Sequence, residues 1–205
     1  MNFMESATKI LNGATELFFR LGVKSITMDD IARELGISKK TLYQHFEDKR
    51  EIILQMCHGI LQHNLKIIES AAKTAKDPVH EIIETGNQVN KIFTKINPVL
   101  IYDLKRYYPE AWQLLEEFKQ KHILKILENN LKRGMSMKIY RADLNVSLMA
   151  RYRLAQFDLA LNQDIFPDAK INMGEIQIAI LDHFLIGITT LKGHKLLNKY
   201  KKLKE

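Results

Sequence analysis

This 205-residue chain is poor in the residues that staple or break structure, with one cysteine, four prolines and nine glycines. The lone Cys57 excludes an internal disulfide and suits a reducing compartment. So few prolines leave room for long helices. No apolar run is long enough to span a membrane; the best stretch, from Ile176 to Leu191, is interrupted by Asp182 and His183. No basic-then-apolar segment opens the chain, so no secretory leader, no membrane partner and a cytoplasmic location are expected. Strand-like alternation, internal repeats and low-complexity linkers are missing too. So are the motifs of catalysis and metal binding: no HExxH, no paired-cysteine spacing, no phosphate-cradling glycine loop and no GxSxG. Cys57 and His58 are adjacent and point apart on a helix, so they form no dyad. The other histidines (His63, His80, His122, His183 and His194 among them) are scattered. No enzymatic activity, metal or cofactor is expected.

Net charge is +7 and the isoelectric point about 9.3. A basic chain suits nucleic acid, but the excess is not where a reader of DNA would need it. Residues 1–50 hold eight Lys or Arg against seven Asp or Glu, a net +1. Much of the surplus lies at the end, where Lys192, Lys195, Lys199, Lys201, Lys202 and Lys204 face only Glu205. That tail reads as a solvated, frayed end.

The informative stretch is Thr27 to Ile53. Thr27 can cap a helix, with Asp30 as its reciprocal partner. Ile31, Ala32 and Leu35 give that helix an apolar face, and Gly36 supplies a left-handed close. Ser38 caps a second helix with Leu42 and Phe46 inward, and Asp48 a third, boxed by Glu51. A helix, a glycine turn and a helix of this size is the helix-turn-helix layout, whose second helix enters the major groove. On that second helix, Lys39, Lys40, Thr41 and Gln44 can reach base edges: lysine to guanine O6 and N7, glutamine to adenine, threonine to a thymine methyl or a phosphate.

Gly36-Ile37-Ser38, Thr41-Leu42-Tyr43, His45-Phe46 and Lys49 resemble the DNA-binding signature of the tetracycline-repressor (TetR) family. Thr27, Ile31-Ala32, Leu35 and the upstream Ala14, Phe18 and Gly22 fit the same pattern, over roughly the first quarter of the chain. The resemblance implies that Tyr43, His45 and Thr27 bind phosphates and that Lys49 clamps the backbone; Lys49 also opens a helix, where free N–H groups favour an anion. It further implies a homodimer formed through the last two helices, an inverted-repeat operator in double-stranded DNA, and a small-molecule effector that releases a repressor from it. The competing reading is an all-helical small-molecule or protein-binding module without DNA function.

The expected fold is all-α, about nine helices, with a helix-turn-helix domain at 1–48 and an effector-binding and dimerisation domain at 49–205. Before the motif, a helix over 5–21 ends at Gly22, and Val23 and Ile26 plug the core. After it come helices over about 49–75, 78–96, 98–107 and 109–133, the last closed by Gly134. Two more follow, capped by Asn145 and Asn172, each with a hydrophobic staple: Leu144 with Met149, and Ile171 with Ile176. Phe93, Tyr102, Tyr107, Trp112, Phe118, Tyr152 and Phe157 are candidates to line an effector cavity, with Arg151 or Gln156 as polar anchors. Few ionisable residues fall on the apolar stripes, so an apolar or aromatic effector is expected.

Overall fold

The computed structural model of the chain describes residues 3–162, 165–166 and 172–202; nothing is described of the side chains of Phe3 and Phe93. All the regular elements among them are helices. The chain divides into two compact units, Met1–His63 with Lys95–Glu117, and Asn64–Thr94 with Phe118–Glu205.

In the first unit, α1 (Phe3–Leu21), α2 (Met28–Glu34) and α3 (Lys39–His45) are joined by the start of α4 (Lys49–Thr74), by α6 (Pro98–Tyr107) and by α7 (Pro109–Phe118). The core is made of Ile10, Ala14, Leu17 and Phe18 of α1, Ile31 and Ala32 of α2, Leu42 and Phe46 around α3, and Ile52, Ile53, Met56 and Cys57 of α4. Val23 and Ile26 fill it from the loop after α1, as their spacing predicts. Gly22 at φ +77 and Gly36 at φ +63 close α1 and α2 in the left-handed region. At Gly36 an added Cβ would meet nothing within 4 Å, so backbone angle alone demands glycine there.

The second unit holds α5 (Pro78–Phe93), a π-helical turn (Lys119–Ile123), α8 (Leu124–Ser136), α9 (Val146–Ala160), α10 (Met173–Ile188) and α11 (Leu191–Lys201). Asp77, Asn145 and Asn172 cap α5, α9 and α10 as expected, and Asn97 caps α6. Val79, Ile83, Leu131, Tyr140, Ala150, Leu181, Phe184, Leu185 and Leu197 are the heart of its core. Ile171, half of one expected staple, lies outside the described residues.

Four features differ from the expectation. First, α5 stops at Phe93 rather than Ile96. The segment that follows is claimed by α1 instead: the Asn97 backbone N–H donates to the Phe19 carbonyl at 2.8 Å, and its side-chain amide to the Arg20 carbonyl at 2.9 Å. Second, the single helix expected from Pro109 to Arg133 is interrupted. The Leu124 N–H reaches the Lys119 carbonyl, five residues back, which puts one extra residue in that turn.

Third, Gly134 does not end a helix. It sits buried inside α8, where an added Cβ would fall 2.0 Å from the Tyr140 ring. Glycine is there for close approach, not for turning. The left-handed residue is Lys138, at φ +56. Tyr140 is 1% exposed, and its hydroxyl donates to Asn130 Oδ1 at 3.0 Å. Fourth, the basic tail is not frayed over its described part. Thr190 caps α11, Gly193 and Leu197 are buried, Tyr200 donates its hydroxyl to Asp77 and Lys201 pairs with Asp182.

No helix among the described residues is long and apolar enough to cross a membrane.

Candidate nucleic-acid interface

The helix-turn-helix is built by side chains that satisfy helix ends. Thr27 and Asp30 form the full reciprocal box: the Asp30 N–H donates to the Thr27 hydroxyl at 3.1 Å and the Thr27 N–H to Asp30 Oδ2 at 3.0 Å. Ser38 accepts from the Thr41 N–H at 3.0 Å, and the two hydroxyls lie 2.8 Å apart. The Glu51 N–H donates to Asp48 Oδ1 at 2.8 Å, while the Glu51 carboxylate reaches back to the Glu47 N–H at 2.7 Å, one residue earlier than a box requires. Each cap fixes a helix start, and a helix start fixes which side chains face outward.

The result on α3 is one buried residue, Leu42, and an exposed face of Lys39, Lys40, Tyr43 and Gln44. Tyr43 is 53% exposed, well beyond what a packing tyrosine shows. Thr41 and His45 are half-buried at the edges of this face. Ser38 and Thr27 are exposed, with hydroxyls already engaged in the caps. Lys39 has its own carboxylate: its ammonium lies 2.5 Å from Asp29.

Lys49 stands apart from that face. It is half-buried, and its ammonium donates to the Val23 and Ile26 carbonyls at 2.8 and 2.6 Å, with the Tyr108 ring centroid 5.8 Å away. In this structure it ties the start of α4 to the loop between α1 and α2. Lys49→Met should therefore cost about 1–2 kcal/mol of stability, the value of charge-assisted bonds to carbonyls at a partly wet site. Thermal denaturation followed by circular dichroism would show this as a drop of several degrees; an unchanged melting point would mean that the two bonds carry no stability.

Sequence reasoning missed Asp103. It lies on α6, is 3% exposed, and its Oδ2 accepts from the Val23 and Lys24 N–H groups at 3.0 and 2.8 Å. This carboxylate holds the turn that follows Gly22. The signal was available, because Asp103 falls on the same stripe as Leu100 and Leu104.

The candidate effector residues are divided between the two units. Tyr102, Tyr107 and Trp112 belong to the first unit; Phe118, Arg151, Tyr152, Gln156 and Phe157 belong to the second. Tyr102 and Tyr107 are exposed, the latter under the Lys24 ammonium at 4.8 Å, and Trp112 is half-buried with the Lys105 ammonium 5.6 Å from its ring. Arg151 and Tyr152 point outward, Phe118 and Phe157 are half-buried, and Gln156 is buried. The side chain of Phe93 lies outside the described residues.

This geometry is a helix-turn-helix, carried by a chain whose described regular elements are all helices. Residues 10–56 match the family of bacterial regulatory proteins, tetR family. The N-terminal module is thus similar to that of the TetR family, and the chain shares the fold of solved TetR-family regulators. A helix-turn-helix-type transcriptional regulator of Staphylococcus aureus (strain USA300) is 39% identical over 80 residues, which is 39% of this chain and 41% of that protein. The chain matches about two-fifths of the length of such curated relatives. Among solved structures, a TetR-family regulator from Agrobacterium tumefaciens superposes with a TM-score of 0.73 at 17% identity, covering 92% of this chain and 100% of that one. The regulator FadR from Bacillus subtilis, solved in complex with stearoyl-CoA, gives a TM-score of 0.68 at 18% identity, covering 88% and 98%.

Proposed function

We propose that the chain is a ligand-responsive transcriptional regulator, a homodimeric repressor that a small molecule releases from an inverted-repeat operator. The observation that carries the reading is the exposed face of α3. Lys39, Lys40, Tyr43 and Gln44 face outward there on a helix whose start is fixed by Ser38 and whose inner side is buried by Leu42. Lysine and glutamine read base edges, and tyrosine with the flanking caps positions the backbone.

Dimerisation through α9 and α10 is supported by apolar side chains left in water. Leu148, Tyr152 and Leu159 on α9 are 58%, 51% and 38% exposed, and Ile186 on α10 is 52% exposed. A monomer has no use for such a stripe, whereas a second copy would cover it. In a dimer the two reading helices meet successive major grooves about 34–36 Å apart. An effector that binds better to another spacing shifts the population off DNA, by no more than its differential affinity for the two states. Helix α4 is the natural carrier of that shift, since it begins with Lys49 in the first unit and its last turns belong to the second.

Selection of bound fragments from a random DNA pool tests this reading. Enrichment of an inverted repeat with half-sites about one helical turn apart is the expected result. Failure to enrich any sequence at low salt would favour a binding module without DNA function.

A further inference from the structure

Helix α9 carries a buried cation that has no counterion among the described residues. Arg153 is 3% exposed, in the interior of the second unit. One of its N–H groups donates to Gln156 Oε1 at 3.2 Å, and its guanidinium carbon lies 4.5 Å from the Phe157 ring centroid and 5.9 Å from that of Phe184. Among the described residues no carboxylate pairs with it. Acids of α9, α10 and α5 are engaged elsewhere: Asp158 with Lys119, Asp182 with Lys201 and Glu81 with Arg133. Burial pushes the guanidinium down to about 10, still charged at neutral pH. Beside it, Gln156 and Gln177 are each 4% exposed. Gln177 donates its amide N–H to the Phe157 carbonyl at 3.3 Å, while its Oε1 is buried without a hydrogen-bond partner among the described residues.

Buried charges are normally paired, and buried polar atoms normally bonded. Aromatic faces offset part of the desolvation of a cation but bring no negative charge. Here, among the described residues, a guanidinium with no carboxylate and an amide oxygen with no donor lie on the buried sides of α9 and α10. A planar fork matches a carboxylate in two parallel hydrogen bonds. A single positive charge balances a single negative one, which favours a monocarboxylate over a doubly charged phosphate. Phe157, Leu181 and Phe184 offer an apolar body its contacts.

We infer that Arg153, with Gln156 and Gln177 beside it, is the anchor for the head group of an organic monocarboxylate with an apolar body, and that this is the effector class of the regulator. The inference rests on the ligand-responsive reading above and sharpens it: the effector is apolar in its body but not in its head. Gln177 leaves an acceptor for a hydroxyl or N–H near that head.

The test uses the full chain and four probes in two matched pairs, octanoate with octanamide and 4-phenylbutyrate with 4-phenylbutyramide. Inorganic phosphate is the anion control. Melting temperature and calorimetric affinity are measured for the parent chain, Arg153→Met and Arg153→Lys. In the parent, the carboxylates should stabilise and the amides and phosphate should not. Arg153→Met replaces a buried charge with an apolar chain of similar length but leaves the buried Gln156 Oε1 without its donor, so each variant is compared with its own ligand-free melting point. The carboxylate affinity of Arg153→Met should fall by about ten- to hundredfold, the worth of a charge-assisted pair. Arg153→Lys keeps the charge without the fork and should fall between. The inference is overturned if neither carboxylate binds the parent at millimolar concentration, if carboxylate and amide bind alike, or if Arg153→Met binds carboxylates undiminished.

The outcomes separate from those of the DNA selection. Arg153-dependent carboxylate binding by a chain that selects no DNA would end the regulator reading and leave the anchor standing. Release from a selected operator by the amides, equally in the parent and Arg153→Met, would keep the regulator and end the anchor.

Discussion

Against its selected operator, the double variant Lys40→Ala/Tyr43→Ala should bind about 100-fold more weakly than the parent chain in an anisotropy titration. Both side chains stand on the exposed face of α3, and neither hydrogen-bonds nor ion-pairs with another described residue. Removing them opens no cavity and orphans no buried group. Melting temperature should therefore stay put, as for ordinary surface substitutions. A lysine that reads a guanine edge is worth about 1–3 kcal/mol, and a tyrosine hydroxyl on phosphate adds about 1 kcal/mol. Together they give roughly 3 kcal/mol, or about two decades of affinity. If Lys40 binds phosphate instead, the loss is shared by all sequences and the salt slope flattens by about one unit. An unchanged affinity in a properly folded variant would remove both residues from the interface. Lys39→Ala should cost less, because Lys39 must first leave Asp29 to engage DNA.

The second large effect belongs to a residue far from that face. Asp103→Ala should destabilise the first unit by about 3 kcal/mol, measurable by urea or thermal denaturation. The Asp103 carboxylate accepts two N–H groups, and one of them, at Val23, belongs to a residue with no exposed surface. Alanine leaves that donor buried and unmet, which costs the full desolvation of the group, about 1–3 kcal/mol, in addition to the second bond. Asp103→Asn keeps one acceptor oxygen and should lose about half as much. The site is also crowded: a Cβ on Gly22 would lie 2.7 Å from Asp103 Oδ2, and the backbone there already needs φ +77. A loss below about 1 kcal/mol in Asp103→Ala would show that water takes over the role of the carboxylate.

Capping chemistry was legible because it is local. Thr27 with Asp30, Ser38, Asp77, Asn97, Asn145 and Asn172 each announce a helix start within four residues, and all six starts are found where they were expected. Helix ends were less legible, since tertiary partners decide them. Asn97 is taken by the end of α1, and Gly134 is held inside α8 by the approach of Tyr140. The last helix was hidden by its lysines, although Leu197 and Tyr200 lay at helical spacing beneath them. Two of the three charged residues buried among the described ones share one signature. Asp103 lies in register with Leu100 and Leu104, and Arg153 with Ala150, Leu154 and Phe157. Residues three and four apart occupy one face of a helix, so the side that buries those apolar groups also buries the charge. Attention to the adjacent, outward-facing Arg151 and Tyr152 concealed Arg153.

Cys57 lies in the wall of the first core, 3% exposed, and burial pushes its thiol up to about 12. At neutral pH the thiol therefore stays protonated, and the reactive thiolate is scarce. For maleimide and methanethiosulfonate chemistry the folded chain is thus a thiol-silent background. A cysteine placed on the outer surface of α3 would be the sole handle in each copy, and a dimer would carry two identical labels without further engineering. The separation between them, read by dipolar spectroscopy with and without a carboxylate, reports directly whether the effector alters the span of the two reading helices.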